Sequence, residues 1–297
     1  MAAPRAPHSH FPPPNALRPC RWNLDTRRVQ DYSVIATDLD GTLLNEHRLL
    51  SERNRKALLA ARARGFKVVA VTARTPRGLT AVPGLAEAVD AAICNNGALF
   101  YEPASGAVEL RHTIPVPTVR ELHERLTHVL PDAAFAIETG SALIGPHGNH
   151  YEEPWLRVDT LDEALALAEH VVEYRLFDKA AGADAMRRAS DDIAVPGVVR
   201  WTWGSFPILE YNAAAVHKGA ALADWCSRRG IGPESVIAFG DMPNDVSMLT
   251  WAGRSYAVAG AQPEALEAAD RMTEANDEDG VAQAIEAILE EFGPPSA

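Results

Sequence analysis

Short apolar runs that alternate with helical stretches constrain the fold of this chain most strongly. Runs typical of buried strands lie at residues 33–37, 66–71, 90–94, 235–239 and 256–259. Helical patterns separate them, and some have recognisable ends, such as Ser51 before one helix and Gly230 after another. Alternating strands and helices form parallel sheets with right-handed crossovers, so we predict an α/β core built on a parallel sheet.

The segment between the two alternating parts has a different pattern. Strands are predicted there near 113–115, 135–138, 198–203 and 208–211, and helices near 117–129, 161–177 and 182–190. Because strands and helices do not alternate regularly, we predict a separate α+β domain, called the insert below. The 297 residues suffice for two domains. The chain would then consist of a discontinuous core, residues 31–98 and 212–293, and the insert at 99–211.

The first 30 residues are unlike the rest of the chain. They contain five arginines and one acidic residue, and six of the first twenty residues are prolines. No apolar segment follows Arg27 and Arg28, so neither a secretory signal nor a twin-arginine signal is indicated. We predict that residues 1–30 are a disordered basic extension, with a binding tail as the alternative.

Composition disfavours several classes of partner. The chain carries 40 acidic residues against 28 basic ones, a formal net charge of −12, so neither nucleic acid nor an anionic membrane is an expected partner. No apolar run reaches the length of a membrane-spanning helix. The three cysteines are widely spaced and form no CxxC pair, which indicates a reducing compartment, the cytoplasm, and no zinc site. No pattern indicates an oligomer, so a monomer is the default expectation.

Two carboxylates follow the first predicted strand. Asp38 and Asp40 precede Gly41 and lie beyond the carboxyl end of that strand, where open α/β sheets bind ligands. A plain turn would also use aspartate and glycine for its local hydrogen bonds. A calcium-binding loop that starts at Asp38 would need glutamate at the position of Leu49, so that alternative fails. The pair therefore indicates a candidate catalytic site.

Four separated segments together resemble the haloacid dehalogenase-like (HAD) superfamily, and most closely its Cof-type, subfamily IIB phosphatases. They are residues 38–44 (DLDGTLL), 68–74 (VVAVTAR), 217–222 (HKGAAL) and 240–249 (GDMPNDVSML). Residues 95–98 (NNGA) and 276–282 (NDEDGVA) are also similar to that subfamily. The resemblance is weak in the insert. It implies a HAD-like Rossmannoid parallel sheet core, with the insert as a C2-type cap that closes over the site and selects the leaving group.

The resemblance also implies a role for each matching residue. Asp38 would be the nucleophile that forms an aspartyl-phosphate, and Asp40 the general acid and then the general base. Thr72 and Lys218 would bind the phosphate, with further contacts from Leu39, Ala73, Arg74, Asn96, Gly97 and Asn244. A Mg²⁺ ion would be held by the side chains of Asp38 and Asp241, the backbone carbonyl of Asp40, and Asp245 as a ligand or orienting group.

Physical chemistry explains why such residues belong together. Phosphoryl transfer needs an in-line nucleophile, a proton donor for the leaving oxygen and positive charge near the phosphate. We therefore predict a Mg²⁺-dependent phosphatase of small phosphate monoesters, such as sugar phosphates or phosphorylated cofactors. A sugar-phosphate mutase that uses the same aspartate and a non-catalytic ligand-binding protein are the alternatives.

Five residues of the insert have no role fixed by the sequence. Trp201 and Trp203 alternate on a predicted strand and would share a face, either packing in the insert, which is favoured, or stacking on a substrate. Glu138 is a candidate substrate contact. His147 and His150 have no further metal ligands nearby, which is more typical of a loop than of a metal site.

Overall fold

The computed structural model describes residues 32–146 and 156–291, which form two β-sheets with helices packed against them. The strands are β1 (Val34–Thr37), β2 (Lys67–Val71), β3 (Ala91–Cys94), β4 (Leu99–Glu102), β5 (Ala107–Leu110), β6 (Ala134–Glu138), β7 (Leu143–Gly145), β8 (Leu156–Arg157), β9 (Glu173–Phe177), β10 (Val198–Trp201), β11 (Ile208–Ala213), β12 (Val236–Gly240), β13 (Arg254–Val258) and β14 (Arg271–Thr273). The helices are α1 (Glu52–Ala63), α2 (Pro76–Thr80), α3 (Leu85–Ala88), α4 (Val116–Val129), α5 (Leu161–Leu167), α6 (Ala183–Ser190), α7 (Lys218–Ser227), α8 (Val246–Trp251), α9 (Pro263–Ala268) and α10 (Gly280–Glu291). The basic extension and the two histidines, His147 and His150, lie outside the described residues.

The larger sheet has eight strands in the order β14-β13-β12-β1-β2-β3-β4-β5. From β14 to β3 all neighbouring strands are parallel, whereas β4 and β5 continue the sheet as an antiparallel edge. In the middle, Val34 of β1 stands opposite both Val236 of β12 and Lys67 of β2. The chain winds outward from β1 in both directions, so β1 marks the switch point at which such sheets bind ligands. The predicted parallel α/β core is confirmed.

Burial on both faces explains why the central strands are almost wholly apolar. Every residue of β1 and β12 is buried. Helix α1, which covers one face, begins where Ser51 accepts a hydrogen bond from the backbone N–H of Asn54, as the sequence predicts. Each large aliphatic side chain buried in this core stabilises the fold by about 1.5–3 kcal/mol. The core therefore holds the carboxyl ends of β1, β2 and β12 in fixed positions.

The smaller sheet has six strands in the order β10-β11-β9-β6-β7-β8. One face is apolar and packs against α4 and α6 in a buried cluster of its own. The other face is polar, because Glu138 stands opposite Glu173 and Arg175 stands opposite Glu210 in adjacent strands. These charged side chains lie on a sheet face that is itself largely buried.

Three expectations about the insert differ from the structure. Residues 113–115, expected as a strand, lie in the connection that leads into α4. Residues 99–110, expected in the insert, form β4 and β5 and extend the larger sheet. The helix expected at 161–177 ends at Leu167, and the chain then forms β9. Residues 173–176 (EYRL) alternate polar and apolar side chains, which is the two-residue period of a strand and not the period of a helix.

The two tryptophans of the insert also differ from expectation. Strand β10 ends at Trp201, so Trp203 lies beyond the strand. Within the described part of the chain, neither indole belongs to the apolar cluster of the smaller sheet, although both rings are half-buried. Among the same residues, no helix has the length and the apolar character needed to cross a membrane.

Candidate active site

Four chain segments bring the predicted site residues to the carboxyl edge of the larger sheet. Asp38 follows β1, Thr72 follows β2 and Asp241 follows β12, and these three strands are neighbours. Lys218 is the first residue of α7, where the chain has returned from the smaller sheet. Neighbouring parallel strands end at one edge of a sheet, so residues far apart in the sequence meet there.

Lys218 lies between two carboxylates at the centre of this site. Its Nζ donates to Asp38 Oδ1 at 2.5 Å and to Asp245 Oδ1 at 2.6 Å, and its side chain is 1% exposed. Burial alone would lower the pKa of Lys218, but the charges of Asp245 and Asp38 outweigh it and raise that pKa above its usual range. The ammonium therefore stays charged, which is what a phosphate arriving beside Asp38 needs.

Asp38, Asp241 and Asp245 form a cluster of carboxylates suited to a metal ion. One ligand oxygen from each lies within 4.8 Å of the others. Burial, and secondarily the charge of Asp245, raises the pKa of Asp241 to about 6. Burial also raises the pKa of Asp38, against the opposing effect of Lys218. The crowded negative charge calls for a cation, and carboxylate oxygens are the ligands that Mg²⁺ prefers, so the donor set fits Mg²⁺.

Hydrogen bonds and a glycine hold these acids in place. Thr42 Oγ1 donates to Asp241 Oδ1 at 2.6 Å. Asp245 Oδ2 accepts from the backbone N–H groups of Asp241 and Met242. Gly41 has a φ of +85°, and a Cβ at this position would lie 2.5 Å from Asp241 Oδ2. Glycine therefore lets the turn after β1 approach Asp241 closely, in a conformation that other residues rarely adopt.

Asp40 lies apart from the three-carboxylate cluster and is more exposed. Its side chain is 44% exposed, and its two oxygens accept from Arg74 Nε and Nη2, both at 2.6 Å. Arg74 also donates to the carbonyl of Gly78 at 3.0 Å, which fixes the guanidinium. A carboxyl in contact with solvent suits proton exchange with a leaving group and with water. The Asp40–Arg74 pair was not predicted from the sequence.

The predicted phosphate-binding residues form a hydrogen-bonded network beside the acids. Thr72 Oγ1 accepts from the backbone N–H of Arg74, and the Thr72 carbonyl accepts from the N–H of Asn96. Asn244 Nδ2 donates to Asn96 Oδ1 at 3.0 Å. Asn96 Nδ2 and Asn244 Oδ1 are buried and have no hydrogen-bond partner among the described residues. One donor and one acceptor are therefore available to a ligand.

Three further predicted binding residues have no polar side chain, so they can contribute only backbone groups or room for a close approach. Leu39 is fully buried, and its carbonyl closes the turn of residues 42–44. Ala73 is half-buried in the loop after β2. Gly97 has a φ of +116°, and a Cβ there would lie 2.6 Å from the Cβ of Ala221. Glycine at this position lets the connection after β3 pack against α7.

Glu138 makes a contact that sequence reasoning missed. Arg77 of α2 donates to its Oε1 at 3.1 Å and to its Oε2 at 2.6 Å, and the N–H of Gly140 also donates to Oε1. Glu138 is fully buried. Its ion pair with Arg77 links α2 to β6 of the smaller sheet. The helix start at Thr75 and Pro76 predicts where Arg77 lies, but nothing in the sequence pairs it with Glu138.

A family match agrees with this fold and this site. The model of the haloacid dehalogenase-like hydrolases matches residues 35–285, so the chain belongs to this family. Its fold resembles that of BT4131, described as a HAD subclass IIB sugar phosphatase, with a TM-score of 0.71 and 21% identity over 86% of this chain and 99% of that one.

Two relatives are named phosphatases. The 5-amino-6-(5-phospho-D-ribitylamino)uracil phosphatase YcsE of Bacillus subtilis is 31% identical over 265 residues, which cover 87% of this chain and 96% of that protein. The pyridoxal phosphate phosphatase YbhA of Escherichia coli is 27% identical over 264 residues, 85% of this chain and 97% of that protein. Within its family the chain is therefore a Cof-type phosphatase that acts on small phosphate esters.

Proposed function

We propose that the enzyme hydrolyses phosphate monoesters in a Mg²⁺-dependent reaction that passes through an aspartyl-phosphate on Asp38. The observation that carries the proposal is the buried ammonium of Lys218, which touches both Asp38 and Asp245. It places positive charge beside a carboxylate that must approach an anionic phosphate. A site built only to bind phosphate would not need a second carboxylate, Asp40, at its entrance.

Asp38 and Asp241 would hold the Mg²⁺ ion through their side chains. Asp245 would ligate it or orient the other two, and the backbone carbonyl of Asp40 is a further expected ligand. The crowding of these acids and the hydroxyl of Thr42 on Asp241 support this assignment. When bound, the ion would neutralise the phosphate oxygens and the surrounding carboxylates.

The protein groups would carry the reaction in two steps. First, Asp38 attacks phosphorus, the P–O bond to the alcohol breaks, and Asp40 gives its proton to the departing oxygen. Second, Asp40 takes a proton from water, the water oxygen attacks phosphorus, and inorganic phosphate leaves with Asp38 regenerated. Lys218 and Thr72 bind the phosphate oxygens, and Arg74 holds Asp40 in position.

The substrate would be a small alcohol esterified with phosphate. By their names, the two relatives act on a phosphorylated ribitylaminouracil and on pyridoxal phosphate. Both substrates are small phosphate esters. For this enzyme we propose a sugar phosphate or a phosphorylated cofactor. The insert would act as a cap that excludes water from the first step and selects the leaving group. The Arg77–Glu138 pair supports this, because it joins the two parts directly.

We also propose that the enzyme works in the cytoplasm as a monomer. Cys94 and Cys226 are buried free thiols, which agrees with a reducing compartment. Light scattering after size-exclusion chromatography should give the chain mass of 32.1 kDa, and a mass twice as large would contradict the monomer.

Asp38→Asn tests the proposed reaction directly. With 4-nitrophenyl phosphate and Mg²⁺, we expect wild-type turnover to stop in EDTA and to return with added Mg²⁺. Acid quenching with a ³²P-labelled ester should trap label on wild-type protein and none on Asp38→Asn. The exposed Asp132→Asn is the matched control and should behave like the wild type. Full turnover by Asp38→Asn, or turnover indifferent to EDTA, would refute the proposal.

A further inference from the structure

The polar face of the smaller sheet carries a buried cluster that the proposed reaction does not use. We call Glu138, Glu173, Arg175, Glu210 and Trp203 the polar-face cluster. Arg175 pairs with Glu173 and lies 3.6 Å from Glu210 Oε1, and Trp203 Nε1 donates to Glu210 Oε2 at 2.5 Å. The side chains of Arg175 and Glu210 are each 11% exposed, so the cluster is buried but still open to a small molecule.

The polar-face cluster lies next to the candidate catalytic residues. Arg74 precedes α2, and Arg77 is the second residue of this helix. Arg74 binds Asp40, which would protonate the leaving oxygen, and Arg77 binds Glu138 of the cluster. A substrate whose phosphate lies at Asp38 would therefore direct the rest of the molecule past these arginines and toward the polar face.

The polar-face cluster, taken together with Arg77 of α2, has no net positive charge. Arg77 and Arg175 face the three carboxyl groups of Glu138, Glu173 and Glu210. Burial, and secondarily the charge of Glu173, raises the pKa of Glu210 to about 8, so that carboxyl carries a proton at neutral pH. With Glu210 protonated, two cations face two anions; with Glu210 ionised, they face three, so in neither state is the net charge positive. Such a surface does not attract a second anionic group, whereas its carboxyl oxygens accept hydrogen bonds from hydroxyl and amino groups.

Polar atoms beside the cluster lack partners among the described residues. Trp201 stands opposite Glu210 in the strand register, and its Nε1 is buried without a hydrogen bond. Asn212 is fully buried and donates through Nδ2 to Glu173, but its Oδ1 has no partner. Trp201 and Trp203 are both half-buried. Two partly open indoles next to unused polar atoms are typical of a surface that binds a planar polar ring.

We propose that Arg175, Glu210, Trp201 and Trp203 recognise the leaving group, and that this group is uncharged, carries hydroxyl or amino donors and contains a planar ring. The proposal rests on the phosphatase function proposed above and assigns its specificity. The indoles stack on the ring, the carboxyl oxygens accept its donors, and the balanced charge gives no advantage to an anionic leaving group.

Three phosphate esters separate these features. Pyridoxine 5′-phosphate has an uncharged planar leaving group with hydroxyls, ribitol 5-phosphate has hydroxyls without a ring, and 2-phosphoglycolate has an anionic leaving group. We expect wild-type kcat/KM to fall in that order. Glu210→Met, which removes both carboxyl oxygens, should lower the ratio of ribitol phosphate to phosphoglycolate about tenfold, and Trp203→Leu should lower the ratio of pyridoxine phosphate to ribitol phosphate by a similar factor.

Arg200→Gln is the matched control, because Arg200 lies on the same sheet but binds Ser190 and Asp191 on the opposite side. Both ratios should stay at their wild-type values in this variant. Unchanged ratios in Glu210→Met and Trp203→Leu, or equal losses in Arg200→Gln, would overturn the proposal. Wild-type preference for phosphoglycolate would also overturn it and leave the phosphatase function intact. Failure to hydrolyse any of the three esters in Mg²⁺ would instead count against the phosphatase function.

Discussion

Lys218 Nζ lies 2.5 Å from Asp38 Oδ1, although 180 positions separate the two residues in the chain. The contact joins the end of β1 to the start of α7 and is closed to solvent. A buried ion pair adds little net stability, because the loss of hydration offsets the attraction. Removal of one partner is different, since it leaves the other charge buried and uncompensated. We therefore expect Lys218 to support both the proposed reaction and the folded state.

Lys218→Met should abolish turnover and lower the free energy of unfolding by about 3–5 kcal/mol. The physical reason is that Asp38 and Asp245 would then repel each other without an intervening cation. Urea denaturation without Mg²⁺ measures the stability, and phosphate release measures the activity. Lys179 is exposed, so Lys179→Met should change stability by less than about 0.5 kcal/mol. A stable, active Lys218→Met enzyme would contradict the role given to the ammonium.

Thr42→Val should weaken Mg²⁺ binding while the protein stays folded. The hydroxyl of Thr42 donates to Asp241 Oδ1 at 2.6 Å, and valine has nearly the same shape without that donor. Loss of a group that orients a metal ligand typically weakens affinity about 10- to 100-fold. Phosphate release as a function of Mg²⁺ concentration measures the effect, with the exposed Thr250→Val as control. Identical Mg²⁺ curves for wild type and Thr42→Val would show that Thr42 does not support the ion.

Arg77→Met should destabilise the protein by about 3–5 kcal/mol, because Glu138 is completely buried and would lose its cation. The double variant Arg77→Met with Glu138→Met should recover most of this loss, since no unpaired charge then stays buried. Urea denaturation of the wild type, both single variants and the double variant measures the coupling. Simple additivity of the two single effects would mean that the pair contributes no interaction.

The meeting of Asp38, Thr72, Lys218 and Asp241 is predictable from the sequence. Three of these residues follow apolar strand patterns, and the rule that parallel strands end at one edge brings them together. The family motifs add Lys218, which no strand pattern would have selected. Their convergence in the structure follows from the order of β2, β1 and β12. The alternation of strands and helices predicts the parallel sheet but not this order.

Contacts between the two sheets were not predictable in the same way. Nothing in a local pattern links Arg77 to Glu138 or Arg74 to Asp40, and the chain contains 24 arginines from which to choose. The polar face was missed for a related reason. The residues of its strand β9 were predicted as part of a helix, because their polar–apolar alternation is only four residues long. Long-range pairing decides such segments, and the sequence displays that pairing only weakly.

Glu210 makes stability depend on pH. Burial, and then the charge of Glu173, raises its pKa in the folded protein to about 8, from 4.5 in an ordinary glutamate. Between these values the folded protein keeps a proton that the unfolded chain has released. The free energy of unfolding should therefore fall as pH rises from about 4.5 to about 8, and the contribution of this group should be lost above that range.

Glu210→Gln should reduce this fall, because glutamine does not titrate. Urea denaturation at about pH 5, 7 and 9 gives the slope for each protein. Glu124 is exposed, so Glu124→Gln should keep the wild-type slope and serves as the control. An equally steep fall in Glu210→Gln would assign the pH dependence to other groups. It would also remove the reason for treating the Glu210 carboxyl as protonated. Three carboxylates would then face Arg77 and Arg175, and this surface would be still less favourable to an anionic leaving group.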